Sequence, residues 1–116
     1  MTLDALRRFA LSLPESSEEP HFERASFRTR KKIFATLTRD GREAMVRVAD
    51  PDELEELLAR EPETFFSYGA WTTRGGALGV RLRKVDSALM RALVTASWKR
   101  VASKRALAAF EASSGG

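Results

Sequence analysis

The chain has 116 residues, 43% of them hydrophobic, with 20 basic against 16 acidic side chains and a net charge of +4. That is one domain's length, with enough apolar material for a real core. The absence of cysteine excludes disulfide frameworks, thiolate metal sites and thiol nucleophiles, and it fits a cytoplasmic setting.

Thr2 is placed to cap a first helix, with Leu3, Leu6, Ala10 and Leu13 on its buried stripe and Pro14 as its stop. An early acid in this segment argues against a signal peptide, and no apolar run approaches a membrane span. Residues 15–20 read as an acidic loop. Two alternating runs then flank Lys31-Lys32, and a third follows Asp40-Gly41, a strong hairpin signal.

A two-residue Asp40-Gly41 turn sets Leu37 opposite Ala44, Ala35 opposite Val46 and Ile33 opposite Val48, all on the core face. Phe34 opposite Arg47, Thr36 opposite Met45 and Thr38 opposite Glu43 then point outward. Phe27 belongs on the core face with Ala25 and Thr29. A two-residue Lys31-Lys32 loop would put it on the wrong side. A three-residue loop, Arg30-Lys31-Lys32, or a bulge is therefore expected.

Asp50 caps the next helix, with Pro51 at its first position, Glu53 completing a capping box and Leu54, Leu57 and Leu58 buried. After Pro62 comes an aromatic-rich connection with Phe65, Phe66, Tyr68 and Trp71. Gly75-Gly76 reads as a turn between two more strands, the last with Leu78, Val80 and Leu82 inward and Arg81 and Arg83 outward. Asp86 caps a long helix carrying Leu89, Met90, Leu93, Val94, Trp98 and Val101. Ser103 opens a short last helix ending near Phe110. The expected architecture is α+β, a single domain over residues 1–112 with an antiparallel sheet of about five strands and helices packed mainly on one face. Residues 113–116 read as a disordered tail.

Charge is segregated along the chain. Residues 24–47 carry eight basic side chains against two acids, and residues 71–84 carry four against none. Residues 50–63 carry seven acids against one base. Such segregation suits a polyanion or a protein partner; solvated faces account for it equally.

No nucleophile elbow, Walker, dinucleotide or zinc-protease pattern is present, so no enzyme activity, metal or cofactor is expected. His21 is the only imidazole. Glu19 or Glu23 could orient it, but a lone histidine entering a strand is ordinarily structural. With Phe22, Tyr68 and Trp71 it forms a candidate small-ligand pocket. The strongest constellation is the outward sheet face, with Arg28, Phe34, Arg47, Arg81 and Arg83. Arg30, Lys31 and Lys32 stand at one hairpin tip and Arg74 near another. Guanidinium pairs suit phosphate oxygens, and an outward aromatic suits sugar or base. A solvent-facing sheet side kept soluble by arginine accounts for the same residues. The acidic helix over residues 51–60, or the sheet face itself, is an alternative protein-docking surface.

The stretches Pro20-His21-Phe22, Ser26-Phe27-Arg28 and Lys32-Ile33-Phe34-Ala35-Thr36-Leu37, with Trp71 and LVTASWKRVASKR from Leu93 to Arg105, resemble the MmcQ/YjbR family. The resemblance implies a CyaY-like (frataxin-like) fold and DNA binding of low sequence specificity through a "double wing" of two β-hairpins. Carried onto this chain, the wings are the hairpins around Lys31-Lys32 and Gly75-Gly76. That family often has glycine where this chain has Lys31, so the tip must either accept a positive φ or change shape.

Overall fold

The computed structural model describes residues 1–69 and 74–114. Helix α1 (Leu3–Ser12) is capped by the Thr2 hydroxyl, which accepts from the Ala5 N–H at 3.1 Å. Four strands follow, β1 (Ser16–His21), β2 (Arg24–Thr29), β3 (Lys32–Leu37) and β4 (Glu43–Arg47). Helix α2 (Pro51–Arg60) starts at Asp50, whose carboxylate accepts from the Asp52 N–H at 2.9 Å. Two more strands, β5 (Phe65–Phe66) and β6 (Ala77–Arg81), precede α3 (Ser87–Lys99) and α4 (Lys104–Ser114). Asp86 caps α3 through Leu89, and Ser103 caps α4 through Ala106. The strands form one antiparallel sheet in the order β1-β2-β3-β4-β6-β5.

The expected α+β architecture holds, with six strands rather than about five. The added strand is β1, which the sequence presents as an acidic loop. Its residues are polar and mostly exposed on both sides, so no alternation marks them. As an edge strand it needs only one hydrogen-bonding side, and Pro20 is tolerated there. Phe65-Phe66 pairs with β6 instead of lying in a free connection. The last helix runs past Phe110 to Ser114. Ser113 and Ser114, expected in a tail, are therefore helical.

Phe27, Ala35, Leu37, Ala44, Val46, Leu78 and Val80 join the helix residues Leu6, Leu54, Leu57, Met90, Leu93, Val94 and Trp98 in one buried cluster. Trp98 is fully buried and donates its indole N–H to the Pro14 carbonyl at 3.2 Å, tying α3 to the exit of α1. The β3–β4 register is as expected, with Ala35 opposite Val46, Thr36 opposite Met45 and Leu37 opposite Ala44. The connection is longer than a two-residue turn. Thr38 accepts from Gly41, which sits at φ 71°, and the loop closes where the Thr38 N–H meets the Glu43 carbonyl. Asp40 accepts from the Thr38 hydroxyl and the Arg42 N–H, which hold its carboxyl below the usual range.

The β2–β3 hairpin resolves the parity conflict with a bulge. Its loop has two residues, Arg30 and Lys31, with φ of 56° and 65°, the signature of a type I′ turn. Phe27 faces Ala35 while Arg28 faces Ile33, leaving Phe34 as the extra residue. The bulge reverses two assignments. Phe34, expected outward as a nucleic-acid contact, is 1% exposed and sits in the core. Ile33, expected inward, is half-buried and belongs to the outer face.

The bulge also removes the strand partner that simple alternation gave Arg47. Ser97 on α3 fills the gap. Its hydroxyl donates to the Phe34 carbonyl at 2.6 Å and accepts from the Arg47 N–H at 3.1 Å. One buried hydroxyl thus bridges the ladder where the strands part. Ser97→Ala orphans both backbone groups, at about 1–3 kcal/mol per unsatisfied group. Urea unfolding should show a loss of roughly 2 kcal/mol or more; a loss under about 0.5 kcal/mol would remove Ser97 from this role.

Candidate nucleic-acid interface

The sheet face opposite the core carries an open groove of about 910 Å³. Strand alternation builds its floor from Ile33 and Thr36 on β3, Met45 and Arg47 on β4 and Ala77 on β6. The β1–β2 turn supplies one wall with His21, Phe22, Glu23 and Arg24. The β2–β3 hairpin adds Arg28, Lys31 and Lys32, and Tyr68 closes another side.

Five cations, Arg24, Arg28, Lys31, Lys32 and Arg47, therefore line one groove beside a single acid, Glu23. None of the five is ion-paired among the described residues. The ion pairs lie elsewhere, at Arg7 with Asp4 and Glu18, Arg42 with Asp40, Arg60 with Glu56 and Glu61, and Arg105 with Glu15. Uncompensated cations around a concave, partly apolar surface raise the local potential for anions.

Two of the guanidinium groups are fixed in place. Arg28 donates through Nε to the Ser26 hydroxyl at 2.9 Å, and its Nη2 lies 3.4 Å from both the Pro20 carbonyl and His21 Nδ1. Ser26, fully buried, in turn donates to the Glu19 carbonyl. Arg47 donates to the Gly75 carbonyl at 2.8 Å, joining the groove to the turn before β6. His21 thus forms part of the wall, with Nδ1 placed to accept from Arg28. Among the described residues no group of three metal-ligating side chains occurs.

The rim is strained. Phe22 lies at φ 58° in the β1–β2 turn, and Arg30 and Lys31 hold positive φ at the neighbouring hairpin. Each L-residue there costs roughly 1–2 kcal/mol relative to ordinary backbone, and such strain gathers where a side chain is needed. Lys31 thus accepts the glycine-like conformation and adds a charge at the tip. Lys31→Gly should stabilise the fold by about 0.5–1 kcal/mol, since relief of strain outweighs the added freedom of the unfolded chain. Calorimetry should show a higher Tm; a lower one would mean that the lysine is unstrained.

The other expected contacts are dispersed. Arg30 is exposed at the hairpin tip but does not line the groove. Arg81 and Arg83 border a separate cleft with Arg42, Glu43 and Lys84. Arg81 is further engaged over the Phe66 ring at 4.7 Å, with the Pro62 and Glu63 carbonyls 3.4 Å away. The Phe66 ring lies across Gly79, where any Cβ would meet it at 2.4 Å. Arg74 lines a third cleft with Val48, Pro51 and Arg100. Trp71 lies outside the described residues. The ligand-pocket residues His21, Phe22 and Tyr68 and the basic residues Arg28, Lys31, Lys32 and Arg47 line the same groove. Arg24, Met45 and Ala77 are members that sequence reasoning did not single out. Met45 lies there as its outward register opposite Thr36 implies.

The YjbR family model matches residues 11–100. Among solved structures, the Deinococcus radiodurans protein DR2400, described as carrying the domain DUF419, is similar with a TM-score of 0.76 and 26% identity. The likeness covers 89% of this chain and 80% of that one. No curated protein matches the chain.

Proposed function

The chain belongs to the YjbR family, and on that premise we propose that it is a non-enzymatic cytoplasmic DNA-binding protein that holds phosphate backbone in the sheet-face groove. The observation that carries this reading is the set of five cations, none ion-paired among the described residues, lining one concavity beside a single carboxylate. Guanidinium forks at Arg28 and Arg47 offer paired donors to phosphate oxygens, while Lys31 and Lys32 act as point charges on the first wing. The second wing, around Gly75-Gly76, meets the groove through the Arg47 bond to Gly75. Specificity is low, because phosphate contacts carry no base information.

The protein-docking alternative has less support. The acids of α2 crowd its N-terminal half, where capping and the helix dipole account for them, and Glu56 is paired with Arg60.

Fluorescence anisotropy with a labelled duplex tests the proposal. Five phosphate contacts give a log–log salt slope near −4.5, so affinity should fall roughly several hundred-fold between about 50 and 200 mM salt. No binding at low salt would sink the reading.

A further inference from the structure

Resting on that reading, we propose that the groove takes an unpaired nucleic-acid strand in preference to a duplex, with Phe22 and Tyr68 stacking its bases. A duplex presents sugar and phosphate outward and keeps its bases stacked inside. It could satisfy the rim cations, yet would leave an apolar floor of Ile33, Met45 and Ala77 without a partner. An unpaired strand offers both surfaces at once. Its phosphates meet the cations, and its bases turn toward aromatic rings and the floor.

The aromatic pair stands where this mode needs it. Phe22 is 93% exposed, the most exposed large apolar side chain among the described residues, and Tyr68 is 37% exposed. Both border the same concavity as the cations. Phe22 is held edge-on to His21, with ring centroids 4.8 Å apart, and Tyr68 lies against Phe66 at 5.2 Å. The turn keeps Phe22 at positive φ where glycine would sit without strain. An exposed aromatic in a strained turn contributes nothing to the core and is explained by a contact outside the chain.

The test compares a labelled oligothymidine of roughly 20 nucleotides with the same strand annealed to oligoadenosine, at one salt concentration. The wild type should bind the single strand at least about tenfold more tightly. Phe22→Ala and Tyr68→Ala should each weaken single-strand binding by about 5- to 100-fold, the range expected for losing one stacked base. Duplex binding should weaken less than single-strand binding, and Phe22→Trp should restore affinity. Phe22 lies outside the core, so its truncation leaves the fold intact, which a thermal melt verifies. Equal affinity for the two forms, or aromatic variants that bind like wild type, would overturn this inference while leaving DNA binding by the groove in place. Absence of binding to both would overturn the two together.

Discussion

Replacing Phe34 with alanine is expected to cost about 3–5 kcal/mol of stability, the range for emptying a buried aromatic site. The expectation follows from the bulge on β3. Simple alternation puts Phe34 on the outer face beside Arg47, where truncation would be nearly silent. With one extra residue in β3, the ring instead enters the core at 1% exposure. Repacking around an alanine is restricted, because the Phe34 carbonyl is already fixed by Ser97. Equilibrium denaturation distinguishes the two registers directly. A loss below about 1 kcal/mol would mean that Phe34 faces solvent and that the bulge is misplaced.

Reversing Lys31 and Lys32 to glutamate is the second change with a large expected effect. Both side chains are exposed and neither is ion-paired among the described residues. The fold should therefore survive the change. Each lost phosphate contact reduces the salt slope by about 0.9, so the double variant should show a slope shallower by about 1.8. Adding repulsion from two new carboxylates, affinity for DNA at low salt should drop on the order of a hundredfold. The matched control is Lys104→Glu with Arg105→Glu on α4. It alters net charge equally but lies outside the groove, and it should change affinity only a few-fold. Equal losses in both variants would reduce the effect to net charge.

The sequence made the β3–β4 pairing legible because period-two alternation on both sides of Asp40-Gly41 allows one conflict-free register. It also exposed the parity problem at Phe27, and hence the need for a bulge or odd loop. It did not locate the bulge, because Ile33 and Phe34 are both apolar and either could face the core. The deciding contact, the Ser97 hydroxyl, comes from a helix 63 residues further along. Strand β1 was hidden for a different reason. An edge strand exposed on both faces carries no hydrophobic signal.

The site divides along the same line. Arg28 and Arg47 were assigned outward from alternation, and they do line the groove. Arg81 points outward as well, yet the groove does not extend to it, and its guanidinium is engaged by Phe66. Facing the same side of a sheet is a local property. Sharing a concavity depends on twist and on where the loops fold over, which period-two reasoning does not contain. His21, Phe22 and Tyr68 read as a pocket separate from the basic face because nothing in the chain order brings them to the rim of that face.

The most direct test of the groove as the DNA-binding surface is chemical-shift mapping of the labelled protein during titration with an oligonucleotide. Resonances of Arg28, Lys32, Thr36, Met45 and Arg47 should move together and saturate at one stoichiometry, while those of α2 and α4 stay in place. Shifts confined to the cleft of Arg81 and Arg83, or to the helical side, would contradict the assignment of the groove.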